Sequence, residues 1–286
     1  MSDPLTTTAG RPDPEDAGPA RYDELAAGYA RHWGPVIRPA AVALLDRLDA
    51  APEAESRLLD VGTGTGTLAI EAIARWPAVH VTGIDASGAM LQLAREEAAA
   101  RIGPGDAWRF ETIAGVADDL PFPPGAFDVA LSSFVLQLVP NRGAALREIR
   151  RVLRPGGRLA WVTWLEGGER FRGDEVVDEV LAEAGFDPPE RDGRSGDLAS
   201  VDAAAAATRR AGFREVHAAA AELVHAWTPR SYTAFIAEFD EQSTFAELEP
   251  GERRRVERRL VQALERLAPD ELTLRIPIVY VTGRAR

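Results

Sequence analysis

Cysteine and lysine are both missing from the 286-residue chain. Without thiols there is no disulfide, no thiolate nucleophile and no cysteine-based zinc or iron–sulfur site; without lysine there is no Schiff base and no phosphate-loop ammonium. No metal site is expected. No run approaches the ~18 uninterrupted apolar residues that crossing a bilayer requires. Cationic charge is also in deficit: 33 basic residues against 45 acidic ones leave −12. Such a field repels phosphate backbones and anionic headgroups, so neither nucleic acid nor a membrane is expected as a partner. The N-terminal stretch carries Pro4, Pro12, Pro14 and Pro19 and lacks the charged start and apolar stretch of a secretory signal. A disordered lead-in over 1–20 and a cytoplasmic setting are therefore expected.

What is present alternates. Apolar residues recur at helical spacing over 22–48, with Pro35 and Pro39 as expected breaks, and this segment (21–50) is expected to form a helical lid. Strands are predicted over 57–61, 80–85, 108–113, 128–133 and 158–164, with helices over 68–76, 87–101 and 141–153 between them. Strands separated by helices of this length imply parallel crossovers and a doubly wound α/β sheet covered on both faces. Further on, helices are predicted near 174–184 and 201–211, strands near 216–224 and 276–282, and a helical cap insertion over 227–272. One domain over 21–286 accounts for the whole pattern. Val256, Leu260 and Leu264 share one face of a helix crowded with arginines, a run best read as a solvated face rather than a phosphate-binding patch.

The sharpest feature is Gly62-Thr63-Gly64-Thr65-Gly66 between the first strand and its helix, a turn that permits close ligand approach. A dinucleotide fingerprint starting at Gly62 would need its last glycine where Thr67 stands. Asp60 puts a carboxylate at the end of the strand, which suits a cationic group and opposes a pyrophosphate. Asp85 ends the next strand, 19 residues beyond Gly66, where a carboxylate can accept both hydroxyl protons of a ribose. Together they call for a nucleoside bearing an amino acid.

Five blocks in order carry a family resemblance: Leu59-Asp60-Val61 with the glycine turn; Asp85-Ala86-Ser87-Gly88-Ala89-Met90-Leu91 with Ala94; Leu120-Pro121-Phe122 before Phe127-Asp128-Val129; Ser132-Ser133-Phe134-Val135-Leu136-Gln137-Leu138-Val139; and Glu148-Ile149-Arg150-Arg151-Val152-Leu153-Arg154-Pro155-Gly156-Gly157. In these the sequence resembles the class I S-adenosylmethionine-dependent methyltransferases, and is similar to their ubiquinone and menaquinone biosynthesis branch. The resemblance implies a Rossmann-like seven-stranded mixed sheet of order 3-2-1-4-5-7-6 with the last strand antiparallel. It implies S-adenosylmethionine as cofactor, with Gly62, Thr63, Gly64 and Gly66 lining it, Asp60 near its ammonium, Asp85 and Ala86 at the ribose, Met90 against adenine, and Ser132 nearby. Relatives read Gly-Asp-Ala before Leu-Pro-Phe, whereas this chain has Gly115-Val116-Ala117-Asp118. Asp118, after a small shift, or the Ala117 backbone then takes the adenine contact. Tyr22, Tyr29 and Trp33 match the lead-in helix that closes over the methionine end, and Arg38 is a candidate for its carboxylate.

Methyl transfer is an in-line displacement from an activated sulfonium, so positioning and water exclusion are the protein's main tasks. The expected acceptor is a small, apolar or aromatic metabolite attacked through O, N or C, and a second copy of the chain is a candidate partner. Three residues are catalytic candidates. Gln137 stands where many relatives carry a histidine and, unable to accept a proton at neutral pH, could orient the acceptor. His32 in the lid and His225 after the sixth strand could act as bases. Trp227 and Phe235 could shape the acceptor pocket, although core packing is the plainer role. A cofactor-binding protein without catalysis and a nicotinamide-dependent oxidoreductase remain alternatives.

Overall fold

The computed structural model describes residues 19–48, 51–53, 55–186 and 197–286. Of the expected disordered lead-in, 1–18 lie outside the described residues, and Pro19 already opens a helix.

Seven strands form one sheet in the order β3-β2-β1-β4-β5-β7-β6. They are β1 (Arg57–Val61), β2 (His80–Asp85), β3 (Phe110–Ala114), β4 (Phe127–Ser133), β5 (Leu153–Trp164), β6 (Arg214–Ala226) and β7 (Thr273–Arg284). The first five pair in parallel, and β7 runs antiparallel to both β5 and β6. The reason is legible in β1, where Leu58 and Leu59 point to opposite faces and both are fully buried. A strand apolar on both faces needs helices above and below it. One face is covered by α2 (Gly34–Ala43), α3 (Thr67–Arg75), α6 (Arg172–Glu183), α8 (Pro229–Phe235) and α10 (Pro250–Leu264), through residues such as Ile37, Ile73, Val177, Phe235 and Leu260. The opposite face is covered by α5 (Arg142–Val152) and α7 (Val201–Arg210), through Leu146, Ile149 and Ala204. The helix α4 (Gly88–Arg101) follows β2. No helix among the described residues is long and apolar enough to cross a membrane.

Two expectations need correction. Leu153 opens β5 instead of closing the preceding helix; the strand takes in Pro155-Gly156-Gly157, and Gly156 and Gly157 exchange backbone bonds with Ala285. The prolines of the lid do not break it either. Pro35 lies in the first turn of α2, directly after the π-helical turn, and Pro39 sits exposed inside the same helix. The irregularity falls earlier, as a π-helical turn Tyr29–Trp33 between α1 (Pro19–Gly28) and α2. A second π-helical turn, Ile236–Asp240, lies in the cap between α8 and α9 (Gln242–Ala246). The two turns meet: Arg31 donates to Glu238 at 2.7 Å and His32 Nε2 lies 3.0 Å from the same carboxylate. The helical segment before β1 is thus joined to the one between β6 and β7.

Candidate functional site

The site is built on the chain reversal after β1. Gly62 and Thr63 both donate backbone N–H groups to the Ile84 carbonyl of β2, at 2.8 and 2.9 Å, so the turn is tied to the neighbouring strand. Gly62, Gly64 and Gly66 all have positive φ, at 72°, 53° and 78°. Their surroundings differ. A side-chain carbon on Gly62 would fall 2.2–2.8 Å from three atoms of Val135, whereas one on Gly64 would meet nothing within 4 Å. Gly62 is therefore fixed by packing and Gly64 borders open space. Gly66 caps α3 and lies against Ala94.

Two carboxylates flank the turn. Asp60 is buried, accepts the Thr63 hydroxyl at 2.8 Å, and has no cationic partner among the described residues. Burial pushes its carboxyl from 3.8 up to about 7, with the negative charge of Asp85 adding to the effect and the Thr63 bond opposing it. Asp85 accepts the Gly64 N–H at 2.8 Å and the Ser87 N–H at 3.0 Å. Its own value is raised by burial, against which those backbone donors work. The glycine turn is thus held at one end by backbone bonds to β2 and at its tip by the Asp85 carboxylate.

The lid reaches these acids. Burial raises the Tyr29 hydroxyl well above its usual range, and the charges of Tyr22, Asp85 and Asp60 raise it further. A contact that the sequence did not disclose fixes the lid: Asp23 of α1 accepts the Ser87 hydroxyl at 2.5 Å and the Ala89 N–H at 3.0 Å, at the N-terminus of α4. Ser87 caps α4, its hydroxyl accepting from the N–H of the buried Met90. Its partner, 64 residues earlier, left no local signal.

Several candidates are placed differently from expectation. Arg38 turns its guanidinium to Glu71 of α3, at 2.7 Å, on the exposed side of the lid. Ser132 is buried and donates to the Val61 carbonyl at 3.0 Å, joining β4 to β1. Gln137 is buried with both ends of its amide engaged: Nε2 donates to the Phe134 carbonyl and Oε1 accepts from Thr163, each at 2.7 Å. It holds protein rather than presenting a free amide. His32 pairs with Glu238. His225, at the end of the edge strand β6, is held below its ordinary value by burial and packs edge-on against Trp227 at 4.4 Å. Trp227 and Phe235 are core residues, as their plainer reading had it. In the segment before Leu120, Val116 is exposed, Ala117 and Asp118 are half-buried, and Ala86 is exposed beside Asp85.

Beyond the glycine turn stands an array of rings drawn from four elements. Phe134, after β4, stacks on Trp164 at the end of β5 with centroids 4.1 Å apart; Trp33 of the lid lies 6.1 Å from Trp164 and 5.5 Å from Phe235 of the cap. Trp33 and Trp164 remain half-buried.

The donor set fits a cationic nucleoside. Two carboxylates with no adjacent cation among the described residues oppose a pyrophosphate, a ribose can share Asp85 with the backbone donors, and an ammonium would supply the charge that buried Asp60 lacks. Comparison with known proteins agrees. Residues 58–157 match the methyltransferase domain family. The chain is 38% identical over 155 residues to the ubiquinone/menaquinone biosynthesis C-methyltransferase UbiE of Methylobacterium nodulans, a match covering 51% of this chain and 60% of that one. It is 32% identical over 288 residues to the nocamycin O-methyltransferase of Saccharothrix syringae, covering 93% of this chain and 97% of that protein. Among solved structures, the [4+2]-cyclase SpnF superposes with a TM-score of 0.58 at 22% identity, over 96% of this chain and 97% of its own, a likeness of fold. On an end-to-end match above 30% identity, together with the glycine turn and its two flanking acids, the chain belongs to the class I S-adenosylmethionine-dependent methyltransferases.

Proposed function

We propose that the protein transfers a methyl group from S-adenosylmethionine to a small, apolar or aromatic metabolite, with an oxygen as the attacking atom. The observation that supports the acceptor class is the pair of half-buried indoles Trp33 and Trp164, with Phe134 stacked on Trp164 in the segment that adjoins the glycine turn. The choice of oxygen is supported by the end-to-end match to an enzyme named for O-methylation, where the C-methyltransferase match spans 60% of its relative. The cofactor supplies an electrophilic methyl when bound. Asp85 would hold the ribose hydroxyls, Asp60 the ammonium, Met90 the adenine ring, and Tyr22 and Tyr29 would cover the methionine end. The joined lid and cap would exclude water and fix the line of attack, a contribution of roughly 7–11 kcal/mol when alignment is good. His225, its charged form disfavoured by burial, can accept a proton, yet it stands at the edge of the sheet. A cytoplasmic setting, a homodimer and the absence of nucleic-acid or membrane partners complete this reading, the last supported by the net charge of −12.

The test is incubation with methyl-labelled cofactor and a set of phenols, enols and carboxylates. Label should enter ether or ester products of the apolar members. Transfer confined to amines, or binding of cofactor with transfer to nothing offered, would count against it. Arg38→Ala should leave cofactor affinity within about twofold by calorimetry, because an exposed pair with Glu71 is worth at most ~1 kcal/mol to the lid and nothing to the pocket. A tenfold loss would return that guanidinium to the cofactor.

A further inference from the structure

The arginines that crowd α10 divide into two sets. Arg253 donates to Glu257 at 2.8 Å, Arg255 lies 3.6 Å from Glu252, and Arg259 pairs with Glu183 of α6. Arg254 and Arg258 are exposed, and their guanidiniums have no hydrogen bond, ion pair or ring contact among the described residues. One helical turn apart, both line a groove of about 510 Å³ between α10 and α8, and Arg230 of α8, equally without a partner, lines it too. Ala234, Ala237 and Val261 make part of the lining apolar. Three carboxylates also border the groove, but Glu238 is bonded to Arg31 and His32 and Glu257 to Arg253, so that Glu265 alone is uncommitted. The arginine run is thus a solvated face only in part. Neither the glycine turn nor its two flanking acids line this groove.

We propose that the groove is a second ligand site, which takes an organic anion with an apolar body and a phosphate monoester head. The site goes beyond the methyl-transfer reading and does not depend on it. A guanidinium presents its donors as a fork that matches phosphate oxygens, and three guanidiniums without partners give up no internal bond when a ligand arrives. A phosphate has three terminal oxygens to divide among them, whereas one fork already satisfies a single carboxylate. The volume lies within the range of roughly 300–1,000 Å³ typical of small-molecule sites. Long-range attraction plays no part, because a chain of net charge −12 repels anions as a whole. Binding must therefore be local, where unpaired cations gather, and the arginines already matched by glutamates on the same helix add little to it.

The test is calorimetry on the whole chain at about pH 7.5 and about 50 mM salt, with cyclohexyl phosphate as probe, a monoester carrying close to two charges there. Arg254→Gln combined with Arg258→Gln should weaken binding at least about tenfold. Arg255→Gln combined with Arg259→Gln removes the same charge from the same helix and should leave the Kd within about twofold. Ala234→Leu, which fills the apolar lining without changing any charge, should weaken the probe about tenfold. Cyclohexanecarboxylate and inorganic phosphate should each bind about tenfold more weakly than the probe, and saturating S-adenosylhomocysteine should not displace it. Equal weakening in the two double variants would show a general field and overturn the site, as would an undiminished affinity in Ala234→Leu, displacement by S-adenosylhomocysteine, or no binding of the probe at millimolar concentration. Cyclohexanecarboxylate held as tightly as the probe would overturn the phosphate head, and inorganic phosphate held as tightly would overturn the apolar body.

Discussion

Gly62→Ala is expected to cost the fold as much as the ligand, and Gly64→Ala to cost the ligand almost alone. Both residues have positive φ, so either alanine incurs ~1–2 kcal/mol of left-handed strain. At Gly62 the new methyl also falls within 2.8 Å of three Val135 atoms, and Val135 cannot retreat freely because its neighbour Phe134 is held by the Gln137 and Val162 bonds. Overpacking of that kind adds about 1–3 kcal/mol, so the total approaches ~2–5 kcal/mol, a large share of the stability of one domain. Thermal unfolding should show a clear fall in Tm for Gly62→Ala, with cofactor binding lost by more than about tenfold as the turn is displaced. At Gly64 no atom stands within 4 Å, so only the left-handed strain remains and the melting temperature should drop by the few degrees that ~1–2 kcal/mol implies, well short of the fall at Gly62. Its methyl would project into the space where a ligand approaches the backbone, and Gly64→Val should lower S-adenosylmethionine affinity by more than about tenfold in calorimetry. Equal Tm losses at the two positions would show that the turn is packed on both sides and that the open border at Gly64 is not the binding surface.

The contrast between these two glycines marks how far the sequence could be read. Strand, glycine turn, helix and terminal acid are local patterns, each set by backbone sterics and by burial within a few residues, and the turn and both acids emerge where their spacing puts them, while the sheet order is the one that the family resemblance implies. Which glycine is packed and which is open depends on Val135, some seventy residues away, and no local pattern encodes that. Polar side chains suffer most from this limit. Arg38 has the composition of a carboxylate binder, but its place on the exposed side of α2 gives it Glu71 as the nearest partner. Gln137 stands where the resemblance places a substrate-facing group, yet a buried amide must satisfy both ends, and Thr163 and the Phe134 carbonyl are within reach. Asp23 was invisible for the converse reason: its contact with Ser87 exists only because lid and α4 pack together. The strand β5 began earlier than its apolar run because Gly156 and Gly157 find backbone partners in Ala285, a tertiary event at the far end of the chain.

The pH response of the free protein should be governed by Asp60. Its carboxyl sits at about 7 in the folded chain against 3.8 ordinarily, so between those values the folded state holds a proton that the unfolded state has released. Stability must then fall as pH rises through that window, by as much as roughly 4 kcal/mol at the upper bound, and level off above it. Asp60→Asn should remove most of that slope, and thermal unfolding at pH 5 and pH 8 reads it directly. Binding runs the other way. A ligand ammonium favours the ionised carboxylate, so S-adenosylmethionine should bind more tightly as pH climbs from about 5 to about 7 and should expel up to about one proton in the acidic part of that range. Calorimetry at pH 6 in two buffers of different ionisation enthalpy measures the expelled proton, and an affinity flat across the range would remove Asp60 from the ligand's cationic end. Asp85 provides the internal control. Its charge is one of the causes that raise Asp60, but a smaller one than burial, so Asp85→Asn should lower the midpoint of the Asp60 transition modestly while leaving its direction intact. The same variant keeps an oxygen that can accept from the Gly64 N–H but loses the full charge that we propose faces the ribose. Its cofactor affinity should therefore fall at every pH, whereas Asp60→Asn should lose affinity chiefly above the transition.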